Sequence, residues 1–166
     1  MRDEPADQSR RGFLFGRHAS ATFNVRPPWT REMTVRSACN GCGECSIACP
    51  QQIVKLDANR RPLVIFGDEC TFCGACADVC PEPVFDRSVE PFTHVARVGS
   101  DCFPKRGVIC WSCGDACPEA VIRFRPRAGG PALPTIDESR CTGCGACVAI
   151  CPAQAVMVEP LLEAVA

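Results

Sequence analysis

The sequence predicts an α+β fold in which two tandem modules follow a mostly irregular N-terminal arm. Sixteen cysteines fall into four groups, short β-like runs flank those groups, and turn-rich segments join the runs in pairs. These three observations predict an arm over residues 1–34, a first module over 35–90, a connection over 91–101 and a second module over 102–160. Two repeated units at this spacing point to an internal duplication.

The four cysteine groups carry most of the information in this chain. Three of them follow the pattern Cys-x-x-Cys-x-x-Cys-x-x-x-Cys-Pro. The third group keeps only its last three cysteines at this spacing, because seven residues separate Cys102 from Cys110. The groups are Cys39, Cys42, Cys45 and Cys49; Cys70, Cys73, Cys76 and Cys80; Cys102, Cys110, Cys113 and Cys117; and Cys141, Cys144, Cys147 and Cys151.

This spacing is typical of thiolates that hold cubane 4Fe–4S clusters. Three cysteines separated by two residues wrap one loop around three corners of a cubane, and in two-cluster ferredoxins the fourth cysteine, before proline, ligates the other cluster. Proline fixes φ and starts a helical turn without losing a needed donor. The sixteen cysteines therefore predict four 4Fe–4S clusters in two bacterial two-cluster ferredoxin-like modules.

The order of the groups along the chain leaves two pairings open. Tandem pairing joins group one with two and group three with four, whereas a nested pairing would join one with four and two with three. The motif class implies that paired groups exchange their fourth cysteines. The tandem ligand sets are Cys39, Cys42, Cys45 and Cys80; Cys70, Cys73, Cys76 and Cys49; Cys102, Cys110, Cys113 and Cys151; and Cys141, Cys144, Cys147 and Cys117.

The displaced Cys102 leaves two possible structures for the third cluster site. The loop after it either delivers Cys102 to a complete cubane or leaves a three-iron or labile cluster. Trp111, inside this group, either shields the cluster from solvent or fills a small core.

Short β-like runs lie between the cysteine groups. We expect strands within Ile53–Leu56, Pro62–Phe66, Val121–Phe124, Leu133–Ile136 and Val156–Val158. Turn-rich segments follow the first and third of these runs, so a hairpin is predicted between groups one and two and another between groups three and four.

Other cysteine-rich architectures fit this pattern less well. Zinc sites use two Cys-x-x-Cys pairs across a longer loop and lack the third cysteine and the Cys-Pro. A disulfide framework is typical of secreted proteins and has irregular cysteine spacing.

The two histidines, His18 and His94, have no other potential metal ligands near them in the sequence. They are predicted to be surface or packing residues.

Charge and hydropathy indicate the cellular compartment of the protein and the classes of partner that it is expected to bind. With 18 basic and 19 acidic residues, the chain gives no reason to expect a nucleic-acid or membrane partner. The segment Ser9–Leu14 reads like a twin-arginine export motif, but no apolar run follows it. No stretch approaches the roughly 20 apolar residues of a membrane-spanning helix. We expect a cytoplasmic protein whose thiols stay reduced.

Catalytic motifs do not emerge from the sequence. It shows no Ser/His/Asp triad, phosphate-binding loop or carboxylate pair in a recognisable frame. We therefore expect an electron-transfer or maturation protein without a substrate site of its own.

Two further segments, taken with the cysteines, resemble a known family. Arg10-Arg11-Gly12, Arg26-Pro27-Pro28-Trp29 and the displaced Cys102 together resemble the NapF family of ferredoxin-type proteins, which are encoded with the bacterial periplasmic nitrate reductase. The similarity runs from about Ser9 to Val158. It implies a cytoplasmic protein that contacts the catalytic subunit of that reductase, NapA, before export. The implied role is maturation, by supplying electrons or by helping to install the subunit's own cluster.

The residues themselves support only cluster binding and one-electron transfer. The alternative function is therefore a general electron-transfer ferredoxin, or a relay subunit of a larger oxidoreductase, with its own redox partner. Arg10, Arg11, Arg26 and Trp29 are candidate partner-binding residues, and the competing interpretation of the Arg-Pro-Pro-Trp segment is an extended strap that holds the arm in place.

Overall fold

The computed structural model describes residues 24–161 of the chain. Arg10, Arg11 and His18 lie outside the described residues, as does most of the predicted arm. None of the helices in the described part is long and apolar enough to cross a membrane.

Short helices and two-stranded sheets make up residues 24–161. The α-helices are α1 (Glu32–Ala38), α2 (Glu44–Ile47), α3 (Ala75–Asp78), α4 (Ser112–Asp115) and α5 (Ala146–Ala149). The strands are β1 (Val54–Leu56), β2 (Pro62–Val64), β3 (His94–Val98), β4 (Ile122–Arg127), β5 (Gly130–Ile136) and β6 (Val156–Pro160). Single 3-10 turns cover Phe103–Arg106 and Glu138–Arg140.

Three of the short helices begin after a glycine in the left-handed conformation. Gly43, Gly74 and Gly145 have φ of 90°, 81° and 85°, and they precede α2, α3 and α5. Only glycine adopts this conformation without a steric penalty, so each glycine lets the loop turn directly into the helix that carries the third cysteine. The third group has Trp111 at this position, with φ of −126°, and its loop follows a different course before α4.

Both predicted hairpins are confirmed. Strands β1 and β2 pair antiparallel, with Val54 opposite Val64. Strands β4 and β5 pair antiparallel, with Ile122 opposite Ile136 and a register shift near Arg125. Each hairpin joins two cysteine groups, so the α+β character and the tandem order of the modules are as predicted.

The structure adds a strand that the sequence analysis did not predict. Strand β3 lies within the predicted connection 91–101 and pairs antiparallel with β6, so that Val98 faces Val156. Because the two strands are far apart in sequence, no local turn signal marks their pairing. The predicted connection thus contributes half of a sheet to the second half of the chain.

Two buried clusters lie between the cysteine groups, and each contains cysteine side chains. The first is built from Val25, Cys45, Ile53, Val54, Val64 and Cys76, and the second from Ala96, Cys113, Val121, Ile122, Cys147 and Val156. Each core is small, and the cysteine-lined space therefore takes up much of the interior of each module. Bound metal is the expected source of stability in a domain of this size.

The described end of the arm is tied to the first module. Residues 24–31 form no helix or strand, and α1 begins at Glu32, inside the predicted arm. The amide of Val64 donates a hydrogen bond of 2.7 Å to the carbonyl oxygen of Val25, so this segment extends the β1–β2 hairpin locally. The hydroxyl of Thr34 also donates to the carbonyl of Val84, which holds α1 against the chain that follows group two.

Candidate iron–sulfur centres

Within residues 24–161, four cavities are each lined by four cysteines. Their volumes run from 320 to 350 Å³, counting the mouths that open to solvent. Site one is lined by Cys39, Cys42, Cys45 and Cys80; site two by Cys49, Cys70, Cys73 and Cys76; site three by Cys102, Cys110, Cys113 and Cys151; and site four by Cys117, Cys141, Cys144 and Cys147.

Each cavity combines cysteines from two groups. Three come from one group, and the fourth comes from just before the proline of the other group in the same module. In the first module Cys49 lines site two and Cys80 lines site one. The hairpin between the groups makes this exchange possible, because it folds the two groups back against one another. The cavities join group one with two and group three with four, in the tandem order.

Burial sets the electrostatics of these thiols. It raises the pKa of Cys45 and Cys113 to about 11 and that of Cys76 and Cys147 to about 12, with a further upward contribution from neighbouring thiols. At neutral pH these side chains therefore keep their protons until a metal displaces them. All sixteen cysteines lie within the described residues and none forms a disulfide. Four free thiols around one cavity fit a cubane cluster at each site.

The displaced Cys102 is brought to the third cavity. Its side chain is 8% exposed and lies just before the 3-10 turn Phe103–Arg106, which carries the chain away from the site. Gly107, with φ of 87°, ends that turn, and the chain then returns to Cys110. The third site therefore has four cysteines, as the other three do.

Trp111 lies at the surface next to this site. Its ring is centred 4.3 Å from that of Phe124, whose side chain lines the third cavity, yet the tryptophan is 46% exposed. The side chain thus packs on a residue that lines site three and is not itself a core residue.

Sites two and four meet where the two modules touch. The amide of Cys70 donates a hydrogen bond of 2.8 Å to the carbonyl oxygen of Cys144. Phe66 packs against the loop that carries Cys144, and a Cβ atom built on Gly145 would lie 1.9 Å from Cδ1 of Phe66. Glycine at this position allows the aromatic ring to approach the backbone of the other module.

His94 belongs to the same junction. It is 3% exposed, its Nε2 lies 2.9 Å from the carbonyl oxygen of Gly143, and its ring is centred 4.5 Å from that of Phe92 and 6.0 Å from that of Phe66. His94 is therefore a packing histidine, one of the two roles predicted for it. This junction was not predicted from the sequence, because an apolar run and a histidine in a connecting segment give no sign of a contact between modules.

The candidate partner-binding residues of the described arm make internal contacts. The side chain of Arg26 is 9% exposed, and its guanidinium donates to Glu32 at 2.5 Å and to the carbonyl of Pro62 at 2.8 Å. The ring of Trp29 meets that of Phe72 edge to face, with centroids 6.5 Å apart. These contacts are those of a strap. A role in partner docking stays a prediction, and Arg10 and Arg11 lie outside the described residues.

Comparison with protein families shows which cofactor this architecture takes. Residues 26–84 and residues 108–155 each match a 4Fe–4S dicluster domain. Two dicluster domains correspond to four clusters, so the predicted cofactor, 4Fe–4S clusters, is confirmed.

Curated relatives resemble this chain over nearly its whole length. It is 39% identical over 158 residues to the ferredoxin-type protein NapF of Escherichia coli strain K12, which covers 93% of this chain and 96% of the relative. It is 36% identical over 167 residues to the ferredoxin-type protein NapF of Haemophilus influenzae strain Rd, covering 93% and 95%.

Proposed function

Because this chain belongs to the NapF family of ferredoxin-type proteins, we propose that it assists maturation of the catalytic subunit of the periplasmic nitrate reductase, NapA. In this proposal the protein acts in the cytoplasm before NapA is exported, and it delivers electrons or an iron–sulfur cluster. As a member of this family, the chain is a ferredoxin-type iron–sulfur protein that transfers electrons. The partner, the compartment and the timing are the parts that we propose.

The proposal includes an assignment of ligands. The cysteines that line each of the four cavities would hold one cluster through their thiolates, with Cys102 completing the third set. When bound, such clusters accept and release single electrons. The convergence of four thiols on each of four cavities is the observation that supports this assignment.

The rest of each site would tune the bound cluster. The amide of Ala155 donates a hydrogen bond of 3.3 Å to Sγ of Cys151, and the thiol of Cys80 lies 3.4 Å from the carbonyl oxygen of Glu82. Donors to sulfur stabilise the negative charge of a reduced cluster, and burial opposes that charge. Cys80 lines site one and Cys151 lines site three. The proposed fourth ligands of these two sites therefore have different hydrogen-bond surroundings.

A general relay of electrons is the second candidate function. The hydrogen bond between Cys70 and Cys144 favours it, because it brings site two of one module next to site four of the other. An electron that enters at one end of the protein would then cross between modules through the ligand backbones. A relay subunit and a maturation factor share this path and differ in the partner that they serve.

Maturation is tested by removing the protein and examining NapA. We expect NapA isolated from the cytoplasm of a deletion strain to contain less cluster iron and to show less reductase activity. The wild-type chain should restore both, and the Cys70→Ala variant, which loses a proposed ligand, should not. The Ile65→Ala variant alters an exposed side chain and is the matched control. Fully loaded and active NapA in the deletion strain would refute the maturation role.

Isotope labelling separates electron delivery from cluster delivery. The protein is loaded with ⁵⁷Fe, mixed anaerobically with unlabelled apo-NapA, and separated from it. Label recovered in NapA identifies cluster transfer, whereas label that stays with this protein while NapA becomes reduced identifies electron transfer. If neither occurs, NapA is not the acceptor.

A further inference from the structure

The loop that displaces Cys102 presents an unusual surface beside site three. Residues 105–109 are all exposed, and the two apolar members, Val108 and Ile109, are 54% and 73% exposed. Trp111 follows at 46%. Cys110, which lines site three, lies between the last two of these side chains. We refer to residues 105–111 as the docking loop. Three large apolar side chains are thus exposed within four positions, and exposed apolar surface of this kind marks interaction sites when it is contiguous.

The docking loop is held in place by hydrogen bonds along its backbone. The amide of Arg106 donates a hydrogen bond of 3.1 Å to the carbonyl oxygen of Cys102. The amide of Val108 donates one of 2.9 Å to the carbonyl oxygen of Phe103. Pro104 is buried, and its carbonyl accepts a hydrogen bond of 3.1 Å from Arg127 of strand β4. The exposed apolar side chains therefore stand on a fixed backbone, and a partner would meet a surface that needs little ordering on binding.

The docking loop and Arg127 carry three positive charges. Lys105, Arg106 and Arg127 are exposed, and within residues 24–161 none of them forms an ion pair with a carboxylate. Lys105 and Arg127 donate to backbone carbonyls instead.

We propose that the docking loop, together with Arg127, is the binding surface for an acidic protein that exchanges one electron with site three. The three positive charges would attract and orient an acidic surface, and the apolar side chains would form the dry centre of the contact. The proposal rests on the electron-transfer part of the proposed function and not on the identity of NapA. It also explains the irregular third group, because a loop of two residues between the first two cysteines leaves no room for such a surface.

The electron balance of the exchange is simple. The carrier of the acidic partner loses one electron, the cluster of site three gains it, and the reverse transfer returns it. No bond forms or breaks. Because Cys110 is itself part of the docking loop, the contact would place the partner next to a ligand of the cluster.

Electron transfer from an acidic flavodoxin tests the proposal on the full, cluster-loaded protein. Flavodoxin hydroquinone is mixed anaerobically with the protein in a stopped-flow instrument at low salt, and the bimolecular rate constant is measured. We expect Lys105→Glu/Arg106→Glu to lower that constant by about tenfold or more and to abolish its decrease with added salt, because electrostatic steering changes association rates by roughly 10- to 10³-fold. Val108→Ser/Ile109→Ser should lower the affinity for oxidised flavodoxin while preserving the salt dependence.

The control variants match these changes elsewhere on the surface. Lys55→Glu reverses an exposed positive charge on β1, and Met33→Ser removes a side chain that is 79% exposed on α1. Both should transfer electrons at the wild-type rate. Equal iron content and equal visible absorbance in every variant show that the clusters are intact.

Several results would overturn the docking surface. One is an equal rate constant in the docking-loop variants and the controls. Another is a wild-type protein that dithionite reduces and flavodoxin does not. Binding to phosphatidylglycerol vesicles that is lost in Lys105→Glu/Arg106→Glu would assign the surface to a membrane, and concentration-dependent self-association lost in the same variant would assign it to a second copy. None of these outcomes depends on NapA, so the two proposals fail separately.

Discussion

The amide of Cys70 donates a hydrogen bond to the carbonyl oxygen of Cys144 over 2.8 Å, although the two residues line cavities in different modules. The bond is supported by Phe66, whose ring lies against Gly145, and by His94, which is bonded to Gly143. Phe66 belongs to the first module, and Gly143 and Gly145 belong to the second. These contacts therefore hold the two modules in one arrangement at sites two and four.

We expect Phe66→Ala to loosen this junction without removing a cluster. Truncating a half-buried aromatic ring should cost about 1.4 kcal/mol, less than the value for a fully buried phenylalanine. In a fixed concentration of urea, visible absorbance should then be lost about tenfold faster, since about 1.4 kcal/mol corresponds to a factor of ten in rate. Iron content before denaturation should equal that of the wild type.

Ile65→Ala provides the control for this change. Ile65 is the preceding residue and is 58% exposed, so its truncation should alter stability by less than about 0.5 kcal/mol. Equal rates of absorbance loss in the two variants would mean that Phe66 does not hold the modules together.

The exchange of fourth cysteines predicts an asymmetric result for pairs of alanine variants. Cys39→Ala/Cys80→Ala removes two cysteines of one cavity and should lose about four irons, the content of one cluster. Cys70→Ala/Cys80→Ala removes one cysteine from each of two cavities and should lose about eight. Iron and acid-labile sulfide, measured on anaerobically purified protein, distinguish the two results.

The opposite pattern would show that each group ligates its own cluster. In that case Cys70→Ala/Cys80→Ala would lose about four irons and Cys39→Ala/Cys80→Ala about eight. Cys102→Ala/Cys151→Ala repeats the test in the second module, where both cysteines line site three.

Local patterns in the sequence predicted the hairpins, and long-range contacts escaped prediction. Strands β1 and β2 are close in the chain, and turn residues mark their connection, whereas β3 and β6 are distant and carry no such signal. The grouping of the cysteines was readable from their spacing, because the motif itself encodes a loop. The contact of Cys70 with Cys144 is made by backbone atoms, whose partners depend on how the modules pack and not on side-chain identity.

Arg26 and Arg36 contact the same carboxylate and should contribute differently to stability. Hydrogen bonds from Arg26 and Arg36 lower the pKa of Glu32 to about 2, so the carboxylate is ionised throughout the neutral range. Arg26 is 9% exposed and also donates to the carbonyl of Pro62, whereas Arg36 is 72% exposed. We expect Arg26→Ala to cost about 2 kcal/mol and Arg36→Ala less than about 0.5 kcal/mol.

The rate of absorbance loss in urea measures both variants. A tenfold to thirtyfold acceleration is expected for Arg26→Ala and almost none for Arg36→Ala, using about 1.4 kcal/mol for each factor of ten. If Arg26→Ala were as stable as Arg36→Ala, the strap interpretation of the Arg-Pro-Pro-Trp segment would fail, and partner docking would be the better account of Arg26.

The buried His94 predicts a pH dependence of the junction. Burial lowers the pKa of His94 below 6.5, against an upward contribution from its hydrogen bond with Gly143. The unfolded chain therefore takes up a proton at a higher pH than the folded protein does, and stability falls as the pH drops below about 6.5. In fixed urea, the wild type should lose absorbance increasingly faster from about pH 7.5 to about pH 5.5. His94→Gln keeps a side-chain donor but cannot titrate, so its rate should rise less over the same interval. Acid lability of the clusters affects both proteins alike, and identical pH profiles would therefore show that His94 does not carry this dependence.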